Sequence, residues 1–168
     1  LDEMRMRQEA LSAVRTGKLA ADPEELLRNV PFFEGLPPEE FARIAALLKR
    51  RTTPGGDNIV RQGERGSSLF LVARGVVRVL RTDDEVDRDI ATLIAGDFFG
   101  EMALLHGGTR RATCRAVTPC ALYELARSEL DVVLESCPAM QRAIEEADRT
   151  RREELEAGGA HVGAETGH

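Results

Sequence analysis

Between residues 51 and 126 the chain breaks into short β-rich runs separated by glycine or polar turns, and this punctuation constrains the fold more than any other feature. The runs are NIVR (58–61), SLFLVA (68–73), VVRVLRT (76–82), DIATLI (89–94), TCRAV (113–117) and CALYELA (120–126). Gly63, Gly66 and Gly75 stand between runs, and Asp83-Asp84-Glu85 is a polar hairpin tip. Strands this short and this regularly spaced predict an antiparallel sandwich or barrel, not a parallel βαβ sheet.

Helical signals flank this region. Leu1, Met4, Leu11 and Val14 recur among charges, which predicts an amphipathic helix in a linker over residues 1–21. Asp22 can cap a short helix with Pro23 at its first position and Glu24 and Glu25 in its first turn, ending before Pro31. Pro37 and Pro38 open another, with Phe41, Ile44, Ala45 and Leu48 as its apolar stripe. After the strands, Ser128 and Asp131 resemble a capping box for a helix carrying Leu130, Val133 and Leu134. Pro138 starts a final helix that ends at Gly158-Gly159, which divides the chain into a body over 22–136, a closing helix over 137–157 and a tail over 158–168.

With 29 acidic against 23 basic residues, the net charge of −6 disfavours a surface that neutralises a long nucleic acid. Cys114, Cys120 and Cys137 form no CxxC pair, and the histidines are His106, His161 and His168, so no metal, cofactor or disulfide framework is expected. Ser67, Ser68 and Cys114 lack a neighbouring His and acid that would make a nucleophile, so no enzyme activity is expected. No apolar run reaches the roughly 20 residues that cross a bilayer, and a cytoplasmic location is the expectation.

One segment between strand runs, GDFFGEMALLHGGTRRAT (96–113), is not strand-like in its middle. Gly100 permits a tight turn, and Glu101 to Leu105 can form a short helix whose first N–H groups suit an anion. Glu101 would repel an anion it touched, but its carboxylate can accept hydrogen bonds from neutral hydroxyls such as those of a ribose. Arg110, beyond the Gly107-Gly108 turn, can return to clamp a phosphate. Residue types alone favour a loop with a Glu101–Arg110 surface ion pair.

The string FGEMALLHGGTRRAT (99–113) resembles the phosphate-binding cassette of the cyclic-nucleotide-binding domain family. TPGGDNIVRQGERGSSLFLVARGVVRV (53–79) is similar to that family's early strands, VPFFEGLPPEEFARIA (30–45) to its lead-in helices and CPAMQRAIEEADRT (137–150) to its lid helix. The resemblance covers residues 24 to 150. It implies an α+β fold: an antiparallel, jelly-roll-like β-roll flanked by N-terminal helices and closed by a C-terminal lid helix. It also implies cAMP or cGMP as ligand, with Gly100, Met102 and Ala103 presenting backbone, Glu101 holding the ribose 2′-hydroxyl and Arg110 the cyclic phosphate. Ala112 and Thr113 match the end of the motif, and Thr109 stands where the family usually has proline.

Arg111 occupies a place where family members that prefer cGMP carry a hydroxyl, which tilts the expectation to cAMP. Val60, Leu69, Leu71, Met102 and Leu104 are candidate walls for the base. In the lid reading Ile144 and Ala147 cover it, with Arg142, Asp148 or Arg149 at its edge; otherwise these charges form a solvated face with pairs such as Glu145–Arg149. The layout resembles a single regulatory cassette fused at its N-terminus to a membrane channel or cation/proton antiporter. Cyclic nucleotide, that effector and a second copy of the chain are thus the expected partners, and DNA is not; the competing expectation is a docking or oligomerising module that has lost its ligand.

Overall fold

Asp22 opens the first helix, α1 (Pro23–Arg28), as its position predicts: the carboxylate accepts the Glu24 backbone N–H at 3.0 Å, and Pro23 fills a first-turn site that has no hydrogen bond to lose. The structure, a computed structural model, describes residues 22–157. The expected linker helix over 1–21 and the tail over 158–168 lie outside the described residues. A 3₁₀ turn (Pro31–Phe33) leads to α2 (Pro38–Ala45), which buries Phe41, Ile44 and Ala45.

Eight strands follow: β1 (Lys49–Thr53), β2 (Asn58–Val60), β3 (Ser68–Arg74), β4 (Val77–Asp83), β5 (Val86–Leu93), β6 (Phe98–Phe99), β7 (Thr113–Ala116) and β8 (Cys120–Ala126). They form two four-stranded sheets, ordered β1-β8-β3-β6 and β2-β7-β4-β5, with every pairing antiparallel. Helices α3 (Glu101–His106), α4 (Arg127–Val133) and α5 (Pro138–Ala157) complete the fold, with a 3₁₀ turn (Leu134–Ser136) before α5. The architecture is the α+β, jelly-roll-like β-roll that the strand runs and the resemblance imply.

Two strands escape the hydrophobic pattern for physical reasons. β1 reads KRRTT because it is an exposed edge; it is held by its ladder to β8 and by Lys49–Glu129 (2.8 Å) and Arg51–Glu124 (2.7 Å). β6 is two residues long and is fixed by stacking of Phe99 on Phe70, with ring centroids 5.0 Å apart. The β4–β5 hairpin turns at Asp84 (φ 52°) and Glu85 (φ 66°), the paired positive φ of a two-residue turn matched to strand twist.

The apolar residues sort into two layers. Phe70, Val72, Val77, Val79, Phe99, Cys114 and Leu122 fill the space between the sheets. Leu69, Leu71 and Ala73 project from the other side of β3 and pack with Leu27, Phe33, Leu104, Leu130, Met140 and Ile144 of the helices. β3 is therefore covered on both faces, which is why SLFLVA reads as an unbroken apolar run rather than an alternation.

The Ser128–Asp131 capping box does not form. β8 runs straight into α4, so the helix begins at Arg127 with Ala126 as an uncapped lead-in, and Asp131 instead accepts the Arg127 Nε–H at 2.8 Å. On α5, Arg149 pairs with Glu146, one turn position from the Glu145 expected. Among the described residues no helix is long and apolar enough to cross a membrane, and no group of three potential ligands could hold a metal.

Candidate functional site

β6 delivers the chain to Gly100, whose φ of 89° turns it abruptly into α3. A side chain there is excluded twice over: a Cβ would lie 2.4 Å from the Ser68 carbonyl oxygen and 2.9 Å from Arg110 Nη1. Leu104 N–H donates to Gly100 O at 2.9 Å, so the N–H groups of Glu101, Met102 and Ala103 form the first turn, without intrahelical acceptors. Arg127 braces the far end of the helix by donating from Nη1 to Leu104 O (3.1 Å) and Leu105 O (3.0 Å).

The loop after α3 is laced to the β2–β3 loop. Gly66 N–H donates to Gly108 O at 3.1 Å and Arg110 N–H to Glu64 O at 2.8 Å, bracketing an antiparallel bridge between Arg65 and Thr109. Neither bond uses the Thr109 N–H, so threonine and proline are equally compatible with this bridge. Gly63 N–H donates to Arg110 O at 2.9 Å.

These loops aim the Arg110 side chain inward. Its Nη1 and Nη2 each donate to Ser68 O at 3.2 Å, and the guanidinium lies over the Phe70 ring at 5.8 Å. Gly66 leaves the room, since a Cβ there would sit 2.5 Å from Arg110 Nε. Burial pulls the Arg110 pKa below its ordinary value, opposed by the neighbouring Cys114 and Glu124. Burial likewise pushes the Cys114 thiol up to about 12, so it stays protonated beside the cation.

Glu101 does not pair with Arg110, so the surface-ion-pair reading fails. The Glu101 carboxylate is half-buried and its Oε2 is buried with no hydrogen-bond partner. Burial raises its pKa, opposed by a hydrogen bond from the Phe32 backbone N–H. A buried carboxylate oxygen without a donor costs about 1–3 kcal/mol. A donor hydroxyl would satisfy it, and the Arg110 guanidinium keeps donors for an anion because the carbonyl it touches leaves much of its fork unused.

The other expected site residues divide. Val60 is half-buried against the inter-sheet core, Ala112 is buried in it, and Met102 and Arg111 are exposed. Thr113 Oγ1 accepts the Gln62 N–H at 3.0 Å and so holds the scaffold. Leu69, Leu71 and Leu104 face the helix layer, residues 69 and 71 having the opposite strand parity to Phe70. Ile144 and Ala147 pack into that same helix layer, Asp148 accepts from His106 Nδ1 at 2.8 Å, and Arg149 turns to Glu146. Sequence reasoning missed Phe70, Ser68 and the Phe32 N–H; the parity of SLFLVA would have found Phe70 once the helices were assigned to one face.

A family model described as "Cyclic nucleotide-binding domain" matches residues 50–137, which span β1 to the end of the 3₁₀ turn before α5. The chain belongs to the cyclic nucleotide-binding domain family. It is 36% identical over 133 residues to the cyclic AMP receptor protein of Thermus thermophilus, covering 77% of this chain and 62% of that protein. It is 35% identical over 121 residues to human potassium/sodium hyperpolarization-activated cyclic nucleotide-gated channel 2, covering 72% of this chain and 13% of the channel. Its fold also resembles cAMP-bound PfPKA-R, with a TM-score of 0.63 and 30% identity over 69% of this chain and 42% of that one. The chain thus spans less than two thirds of either curated relative. The shared stretch is the cyclic nucleotide-binding domain, with the cassette between β6 and β7 inside the matched residues.

Proposed function

We propose that this cyclic nucleotide-binding domain is a cAMP-preferring sensor that passes ligand binding to an attached effector of the membrane-transport class. The observation that carries the binding role is the unpartnered, buried Oε2 of Glu101 in the same cassette as the inward-aimed Arg110. Glu101 accepts from the ribose 2′-hydroxyl and Arg110 donates to the cyclic phosphate, with the first turn of α3 beside them. A docking module would have no use for a buried carboxylate oxygen without a donor. The role involves no bond making, and no residue is assigned to catalysis.

Base preference rests on Arg111, an exposed cation where a hydroxyl would serve guanine, and on the likeness to the cyclic AMP receptor protein of Thermus thermophilus and to cAMP-bound PfPKA-R. The effector class rests on the channel relative. Coupling runs through α5, which Met140 and Ile144 seat in the helix layer and Asp148 ties to the end of α3. Ligand binding at α3 shifts the population of α5 positions, and each tenfold difference in affinity between two positions supplies about 1.4 kcal/mol toward the effector.

Competition of cAMP and cGMP for the purified domain tests the preference, and a tighter site for cGMP would reverse it. The full-length protein tests the effector: membrane spans ahead of this region support the proposed class, whereas a DNA-binding domain after it would replace that class with a transcription regulator.

A further inference from the structure

Ser68 is the buried polar residue of β3, and it touches both the ligand-facing arginine and a carboxylate on the neighbouring strand β8. Its carbonyl receives both Arg110 Nη groups at 3.2 Å. Its hydroxyl donates to Glu124 Oε2 at 2.6 Å, the short distance of a charge-assisted bond. Glu124, on β8, stands opposite Phe70 of β3 and Lys49 of β1, and its other oxygen accepts from Arg51 Nε at 2.7 Å. A continuous chain of hydrogen bonds thus runs Arg51, Glu124, Ser68, Arg110 from the exposed edge strand to the cradle.

This chain matters because Arg110 has no ion pair of its own among the described residues. Long side chains lose rotamer freedom when fixed, and an arginine aimed only by one carbonyl can swing unless that carbonyl is itself held. The ladder places Ser68 opposite Ala126 at the very start of β3, where pairing is about to end. The hydroxyl clamp holds that residue by its side chain, next to the Arg127 N–H bond to Ser67 O at 3.0 Å. We propose that Ser68 and Glu124 are positioning residues for the phosphate-binding arginine: Glu124 pins the start of β3 through the Ser68 hydroxyl, so that the Ser68 carbonyl holds the Arg110 guanidinium ready for the anion.

The inference rests on the cyclic-nucleotide reading of the cassette, so wild-type cAMP binding is measured first; absence of binding there defeats that reading rather than this one. Given binding, Ser68→Ala and Glu124→Ala each weaken cAMP by about five- to thirtyfold, the loss expected for a charge-assisted positioning bond. Glu124→Gln, which keeps an acceptor for the hydroxyl, stays within about threefold of wild type. In an Arg110→Ala background Ser68→Ala changes affinity by less than about twofold, because the residue it positions is gone.

An unchanged affinity in Ser68→Ala, or an equal loss with and without Arg110, overturns the proposal; the second outcome would mark a general structural role. If the alanine variants do not fold, nitrogen-detected NMR of the Arg110 side chain in wild type and Glu124→Gln decides the matter. Restricted guanidinium rotation in both is the expected result, and free rotation in wild type overturns it.

Discussion

Replacing Glu101 by Gln separates what the carboxylate does for the ligand from what it does to the fold. In the apo domain Oε2 is buried without a donor, while the Phe32 N–H supports the carboxylate from elsewhere. Glutamine keeps an acceptor for Phe32 and removes the desolvated charge, but it places an unpaired NH₂ where Oε2 stood. The two effects partly offset, leaving a gain of about 0.5–1 kcal/mol in apo stability. For a domain of this size that is a rise of about 1–4 °C in Tm. The sign depends on pH. Burial raises the folded-state pKa of Glu101, so the wild type carries no penalty below the ordinary glutamate range, where both states hold the proton, and loses stability as pH rises through the folded value. The advantage of Glu101→Gln therefore appears near pH 7.5 and vanishes near pH 4. Ligand affinity moves the other way: losing a charge-assisted bond to the ribose hydroxyl costs about 1.5–3 kcal/mol, or about 10- to 150-fold. Thermal melts at the two pH values, with and without cAMP, read both effects. A less stable apo variant at pH 7.5, or an unchanged affinity, would refute the reasoning.

Two further outcomes follow from contacts around the cassette. Gly100→Ala forces a Cβ onto a left-handed residue and against the Ser68 carbonyl, so it should destabilise the domain by about 2–4 kcal/mol and weaken ligand binding together, as read by urea melts and titration. His106 is held below its ordinary pKa, chiefly by burial and then by the charges of Arg151 and Arg127, against the pull of Asp148. Its depressed folded value means that stability is present above the unfolded pKa of about 6.5 and falls as the medium is acidified. His106→Asn should therefore flatten the fall in stability between pH 7.5 and 5.5, and an unaltered slope would show that other groups carry it.

Much of the fold was legible because local chemistry and tertiary position agreed. Asp22-Pro23, Pro38 and Pro138 start helices where their backbone chemistry favours it, and Asp83-Asp84-Glu85 closes a hairpin. β1 was invisible because an exposed edge strand needs no apolar alternation, and β6 because two residues carry no period. The cassette showed its glycines and its Glu101 and Arg110, but residue types could not distinguish an ion pair from two side chains held apart. That distinction depends on Ser68 receiving the guanidinium, a contact 42 residues away in sequence. Strand parity was out of reach for a related reason: Leu69 and Leu71 are as apolar as Phe70, and only the helix layer on one side of β3 decides which parity faces between the sheets.

The account stands most directly on calorimetric titration of cAMP into the wild-type domain and into Arg110→Ala. It predicts saturable binding to the wild type at one site, weakened by about 2–4 kcal/mol when the guanidinium is removed. No heat with the wild type at millimolar cAMP, or the same affinity in both proteins, would contradict it.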